Sequence, residues 1–108
     1  MTRALLFMIA MLAATSVFAR GDAAAGAVKA QQVCAACHGP SGDKPLTPEF
    51  PKIGGQHGDY LYYAMRAYKT GARKNAIMAA QVQGLSDKEL EDLAAYFSSQ
   101  TGSLRVIR

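Results

Sequence analysis

Cys34, Cys37 and His38 are the residues whose types and spacing point to chemistry. They read Cys34-Ala35-Ala36-Cys37-His38, two thiols three positions apart with an imidazole directly after the second. Thiolates are nucleophiles and metal ligands, and neutral imidazole is a common metal ligand. In this order the five residues are the attachment pattern of a c-type haem. Each cysteine forms a thioether to one vinyl group, and the histidine is placed under the ring, where its imidazole binds iron. Chemistry fixes the spacing, because the vinyls and the iron hold fixed positions in one rigid macrocycle.

Other chemistries are less well served by the same residues. A thioredoxin-like dithiol wants a βαβ pattern around C-x-x-C, and none is present. A tetrahedral zinc site needs four ligands, and the chain has only two Cys and two His, so Cys34, Cys37, His38 and His57 would all be consumed. A plain disulfide closes too short a loop to cross-link a fold usefully.

A six-coordinate iron needs a partner for His38. Once the N-terminal segment is set aside, the candidates are His57, Met65 and Met78. Met65 shares a helical stripe with Leu61 and Tyr68, which points to core packing. His57 precedes a glycine and a helix start and reads as a surface or loop histidine. Met78 falls in a connection between two helices, on a segment free to fold over the other haem face. Methionine is a known haem ligand, so Met78 is preferred.

These residues need elements to hold them. Asp22 is a plausible N-cap for a first helix, Ala23 to about Val33, which is Ala-rich and delivers the chain into Cys34. Gly26 inside it costs about 1 kcal/mol against alanine and hints at close approach of another backbone or ring. Gly39-Pro40-Ser41-Gly42 is a turn cluster. From there to Gly58 runs a Pro/Gly-rich connection with Pro45, Pro48 and Pro51, of a length that is uncommon unless it wraps something. A second helix, Tyr60 to Thr70, is expected with Asp59 as cap and Gly71 as the residue after its end; Leu61, Ala64, Met65 and Tyr68 form its apolar face. Gly71 to Gly84 reads as a loop with room for a helical turn near Ala79–Val82. The clearest helix follows. Ser86-Asp87-Lys88-Glu89 is a capping box, Leu85 and Leu90 form its staple, and Leu90, Leu93, Ala94 and Phe97 are the buried stripe, with Gly102 at the end. Ser103 to Arg108 reads as a mobile tail. Repeats and convincing strands are lacking, so the fold class is all-α.

The N-terminus reads differently. Arg3 is a positive n-region, Ala4 to Ala14 is an unbroken apolar run of 11 residues, and Val17-Phe18-Ala19 is a small-residue cleavage pattern. Residues 1–19 are therefore expected to be a secretory signal peptide and residues 20–108 the mature domain. An uncleaved membrane anchor is the lesser alternative, since the run is well short of the roughly 20 residues a spanning helix needs. Without Arg3 the chain carries 11 basic against 8 acidic residues, a mild charge of +3, scattered and far from a nucleic-acid footprint. A domain this small is marginal on its own hydrophobic core, and a haem would supply much of what is missing.

Beyond the haem pattern the chain resembles a class I c-type cytochrome, one half of the bacterial di-haem cytochromes c or their small mono-haem relatives, over nearly all of Asp22–Gln100. The resemblance is carried by Cys37-His38-Gly39-x-x-Gly42, Phe50-Pro51-x-Ile53-x-Gly55-Gln56, Tyr68-x-x-Gly71-x-Arg73-x-Asn75-x-x-Met78, Leu85-Ser86-Asp87 and Leu93-Ala94-Ala95-Tyr96-Phe97. It implies a cytochrome c fold of three to five short helices around one haem c held covalently by Cys34 and Cys37. It implies His38 as proximal and Met78 as distal iron ligand, and the Pro51 carbonyl as acceptor for the other His38 ring N–H. By the same resemblance Gly26 lets the first helix cross the last against Tyr96 or Phe97. Arg73 and Asn75 would meet a propionate or brace the methionine segment. The chain departs from the family in two places. A single C-x-x-C-H excludes haem-to-haem transfer within the chain, and Ile53-Gly54-Gly55-Gln56 replaces the usual Leu-Ala-Gly-Gln.

The expected function is a soluble, monomeric periplasmic electron carrier and not an enzyme. With both axial positions filled, nothing is open for a small-molecule substrate. Its partners would be redox proteins such as a membrane cytochrome complex, an oxidase or a dehydrogenase, met through weak contacts of scattered Lys and Arg. The competing readings are a haem subunit bound tightly to a dehydrogenase or oxidase, which should show an exposed apolar patch, and a ligand-binding haem protein, which should bind carbon monoxide.

Overall fold

The structure, a computed structural model, describes residues 21–104. The expected signal peptide, its cleavage site and the last four residues of the tail lie outside the described residues. Five helices follow in order: α1 Ala23–Val33, α2 Ala35–His38, α3 Gly58–Thr70, α4 Ala76–Val82 and α5 Asp87–Ser98. Among the described residues there is no strand.

Each helix start has a local cause. The Asp22 carboxylate accepts the N–H groups of Ala24 at 2.9 Å and Ala25 at 3.2 Å, satisfying two donors that α1 leaves without helical partners. The Ser86 hydroxyl accepts from Glu89 N–H and the Glu89 carboxylate accepts from Ser86 N–H, both at 3.1 Å, which is the expected capping box. Two boundaries differ from expectation at α3 and α5. Helix α3 begins at Gly58 with His57, not Asp59, at the cap position; Asp59 lies in the first turn, where a carboxylate suits the positive end of the helix dipole. Helix α5 stops at Ser98, short of Gly102. There the Ser99 hydroxyl and the Gln100 side-chain amide both donate to the Tyr96 carbonyl, at 2.7 and 3.1 Å, beside short-range backbone bonds from Ser99 N–H to Tyr96 and Gln100 N–H to Phe97.

The core is made where α1 and α3 pack on α5. Leu90, Leu93 and Phe97 are fully buried on the inner face of α5, with Ala30, Leu61, Val82 and Leu85 around them. Burial of each large side chain contributes about 1.5–3 kcal/mol. Helices α1 and α5 make the most extensive helix contact, and glycine sets their separation. A Cβ on Gly26 would lie 2.0 Å from the Asp92 carbonyl oxygen and 2.9 Å from Tyr96 Cβ. Asp92 is buried, and it ties the same crossing by accepting the Asp22 N–H at 2.8 Å and by pairing with Lys88. These bonds hold its carboxyl below the usual carboxylate range. Lys29 and Glu89 add an ion pair of 2.7 Å between the two helices.

The connection from Gly39 to His57 has no regular structure but is pinned throughout. Leu46 N–H donates to the Cys37 carbonyl at 2.9 Å, the N–H groups of Ile53 and Gly54 to Gly42 at 2.8 and 3.0 Å, and Gly55 N–H to Phe97 at 2.9 Å. Tyr96 donates its hydroxyl to the Pro40 carbonyl at 2.7 Å. At Gly54, the position where the family resemblance calls for Ala, a Cβ would stand 2.3 Å from the Ser41 carbonyl oxygen. The described start of the tail, expected to be free, is held as well: Ser103 donates its N–H and hydroxyl to Asp43 at 2.8 and 3.0 Å. That acceptance holds the Asp43 carboxyl below its ordinary pKa.

Candidate functional site

Cys34 closes α1 and caps α2, so the two thiols and His38 are presented on one tight helical turn; His38 N–H donates to the Cys34 carbonyl at 3.0 Å. Both thiols are free. Burial pushes the Cys34 thiol up to about 11, and Cys37 beside it adds to the shift, so Cys34 stays protonated at neutral pH. His38 is 6% exposed. Its Nδ1 lies 2.9 Å from the Pro51 carbonyl oxygen. A carbonyl only accepts, so the proton of the neutral ring sits on Nδ1 and the lone pair on Nε2, free for a metal. Phe50 packs beside the imidazole with ring centroids 6.3 Å apart.

Cys34, Cys37, His38 and Pro51 border one cavity of about 460 Å³. Its apolar wall comes from Val33, Ile53, Leu61, Val82, Leu85, Leu93 and Phe97, contributed by α1, the pinned connection, α3, α4 and α5. Both Met65 and Met78 reach this wall, as do Arg73 and Asn75. Met65 packs on the core from the same α3 face, so its helical stripe is also a cavity stripe. His57 is exposed at the start of α3 and does not border the cavity, which removes the fourth ligand that a zinc site would need.

The segment bearing Met78 is a helix, not the irregular loop expected. The signal was Asn75 followed by Ala76-Ile77-Met78: the Asn75 side chain accepts the N–H groups of Ile77 and Met78, each at 3.1 Å, and starts α4. Asn75 thus braces the methionine segment directly. Arg73 lies 4.8 Å over the Tyr68 ring, a cation–π contact, and donates to the Tyr60 hydroxyl at 3.4 Å. Neither tyrosine contact was visible in the spacing. Two residues that border the cavity, Tyr60 and Ile77, are 53% and 58% exposed.

The donor set fits a covalently held haem: two free thiols on one turn, an imidazole with one nitrogen braced and the other available, and thioethers on an apolar wall. A cavity of this size lies within the ordinary range for cofactor pockets, about 300–1,000 Å³.

Comparison with known proteins places these features. A family model described as Cytochrome c matches residues 23–101. Cytochrome c4 of Pseudomonas aeruginosa is 49% identical over 86 residues, covering 80% of this chain and 42% of the relative. Cytochrome c-554(548) of Halomonas halodenitrificans is 47% identical over 83 residues, covering 74% of this chain and 98% of the relative. The crystal structure of reduced cytochrome c4 from Pseudomonas stutzeri superimposes with a TM-score of 0.71 at 44% identity, over 78% of this chain and 48% of that one. The chain thus spans about half the length of its cytochrome c4 relatives.

Proposed function

This chain belongs to the cytochrome c family, and from that premise we propose that it is a periplasmic one-electron carrier. The family binds haem c through the cysteine pair, here Cys34 and Cys37. When bound, the haem supplies an iron that cycles between Fe(II) and Fe(III). The chain's residues would hold that iron in one environment. Pro51 fixes the imidazole of His38 through Nδ1. Met78, which borders the same cavity, would supply a second ligand to the iron, and a sulfur donor paired with histidine raises the reduction potential relative to more basic pairs. The apolar wall would exclude water, and Arg73, which borders the cavity, would meet a propionate.

The observation that carries this reading is the 2.9 Å approach of His38 to the Pro51 carbonyl on the same cavity that Met78 borders. Among the described residues no helix is long and apolar enough to cross a membrane. The test is redox titration of the purified holoprotein, with carbon monoxide added to the reduced form. A carrier with both axial positions filled gives a single one-electron wave and does not bind the gas; ready binding assigns the chain to the ligand-binding haem proteins. One observation favours a second reading, a haem subunit docked on a dehydrogenase or oxidase: Tyr60 and Ile77 expose apolar surface beside the cavity. Gel filtration of native extract separates the two, because a free carrier elutes as a monomer.

A further inference from the structure

We infer that Lys69 is a positioning residue for the Met78 thioether; the inference rests on the reading of Met78 as the second axial ligand. Helix α4 has seven residues, too few to be stable alone, so its ends must be tied elsewhere. Asn75 ties the first turn. At the other end both ties run to Lys69, in the last turn of α3. The Lys69 ammonium donates to the Leu85 carbonyl, and the Lys69 carbonyl accepts from the Gln83 side-chain amide at 3.0 Å. Leu85 N–H in turn donates to Val82 at 3.1 Å. Val82 and Leu85 are 2% and 6% exposed, so this junction is where α4 enters the core. Leu85 also immediately precedes the Ser86 cap of α5. Lys69 therefore joins the ends of α3 and α4 to the start of α5 through one side chain and its own carbonyl.

A charged donor on a partly buried carbonyl is stronger than a neutral hydrogen bond, and no apolar replacement reproduces it. Without it the C-terminal end of α4 is free to lift, and Met78, then held by the Asn75 cap alone, loses its fixed place on the cavity wall. The His38 side has its own brace at Pro51 and does not share this junction. Loss of Lys69 should thus open one axial position while leaving the attached haem and the opposite ligand in place.

The test compares Lys69→Met, which keeps the aliphatic stem, with Lys69→Arg, Gln83→Ala and Met78→Ala, all as holoproteins. Three quantities are read: the far-red thioether–iron band of the ferric form against temperature, carbon monoxide binding to the ferrous form, and amide exchange across residues 77–82. Lys69→Met should bind carbon monoxide about tenfold faster than the parent, a factor typical for losing a charged hydrogen bond. It should lose the band below the temperature at which helix signal melts, and it should exchange faster in α4. Lys69→Arg should restore parental behaviour, and Gln83→Ala should move the same way as Lys69→Met by less. If Lys69→Met does not fold, Gln83→Ala decides alone. Band loss only together with helix melting, at parental carbon monoxide rates, overturns the inference. Survival of the band in Met78→Ala overturns the ligand reading instead, and the role of Lys69 with it.

Discussion

Replacing Gly26 by alanine probes how the domain is held together. The new Cβ would sit 2.0 Å from the Asp92 carbonyl oxygen, whereas ordinary contact begins at 3.4 Å. The obstacle is backbone in the middle of α5, so no rotamer change relieves it. The helices must part by about 1.4 Å at this point, the difference between those two distances. Gaps of 0.5–1 Å already forfeit a quarter to a half of a dispersion contact. The contacts at risk are those of Ala30, the fully buried α1 residue in the core cluster that also holds Leu90 and Leu93. Overpacking costs about 1–3 kcal/mol, and a clash with backbone belongs at or above the upper end. Alanine returns about 1 kcal/mol of helix propensity. The net expectation is about 2 kcal/mol of destabilisation, or a fall of about 10 °C in Tm for a domain of this size. Denaturant titration and thermal melting of the holoprotein measure it. Gly84→Ala is the control, since a Cβ there meets nothing within 4 Å, and it should be neutral or slightly stabilising. A Gly26→Ala protein as stable as the parent would refute the close crossing of α1 and α5.

Ser86→Ala should cost about 0.5–2 kcal/mol by removing the N-cap hydroxyl of α5, read as a shifted denaturant midpoint. The Lys29 ammonium, with the Ser86 N–H, holds the Glu89 carboxyl down to about 2 from its ordinary 4.5. The folded state thus binds this proton more weakly than the unfolded chain, so the contribution is complete above pH 4.5 and is lost as pH falls toward 2. Lys29→Met should flatten that acid limb in a pH series of urea midpoints. Asn75→Ala removes the cap of α4, costs about 1 kcal/mol, and should weaken the far-red band of the ferric protein more than it lowers the global midpoint. Intact mass after acid–acetone extraction should give a chain starting at Arg20 with one haem attached; a bare polypeptide mass, or haem in the acetone, contradicts the attachment.

Features written in local chemistry were legible in the sequence. The haem pattern, the Asp22 cap, the Ser86–Glu89 box and the stripe through Leu90, Leu93 and Phe97 involve residues a few positions apart, and the structure has them where the spacing puts them. Gly26 was legible as an anomaly, a helix-weakening residue that needed a neighbour, though the Asp92 carbonyl was not foreseeable. What was missed depends on groups far apart in the chain or on competition between weak local signals. Helix α4 reads in the sequence as a loop with room for one turn near Ala79–Val82, because seven residues carry little periodicity and its start rests on the Asn75 cap alone. The Lys69 bond to Leu85 spans a connection whose path the sequence does not encode locally. Arg73 found Tyr68 and Tyr60 through the turn at Gly71, which has φ +85° and returns the chain across α3. The tail near Ser103 looked free because its partner, Asp43, is 60 residues away.

The central claim, that the cavity is closed by a thioether opposite His38, is tested most directly by the far-red spectrum of the ferric Met78→Ala and Met65→Leu holoproteins measured side by side. Both methionines border the cavity, so geometry alone makes each a contender. Met78→Ala should keep its covalent haem but lose the band, with a lower reduction potential and new carbon monoxide binding. Met65→Leu, a near volume-conserving change costing under about 1.5 kcal/mol, should keep all three properties of the parent. Survival of the band in Met78→Ala together with its loss in Met65→Leu would contradict the account and place α3, not α4, opposite the imidazole.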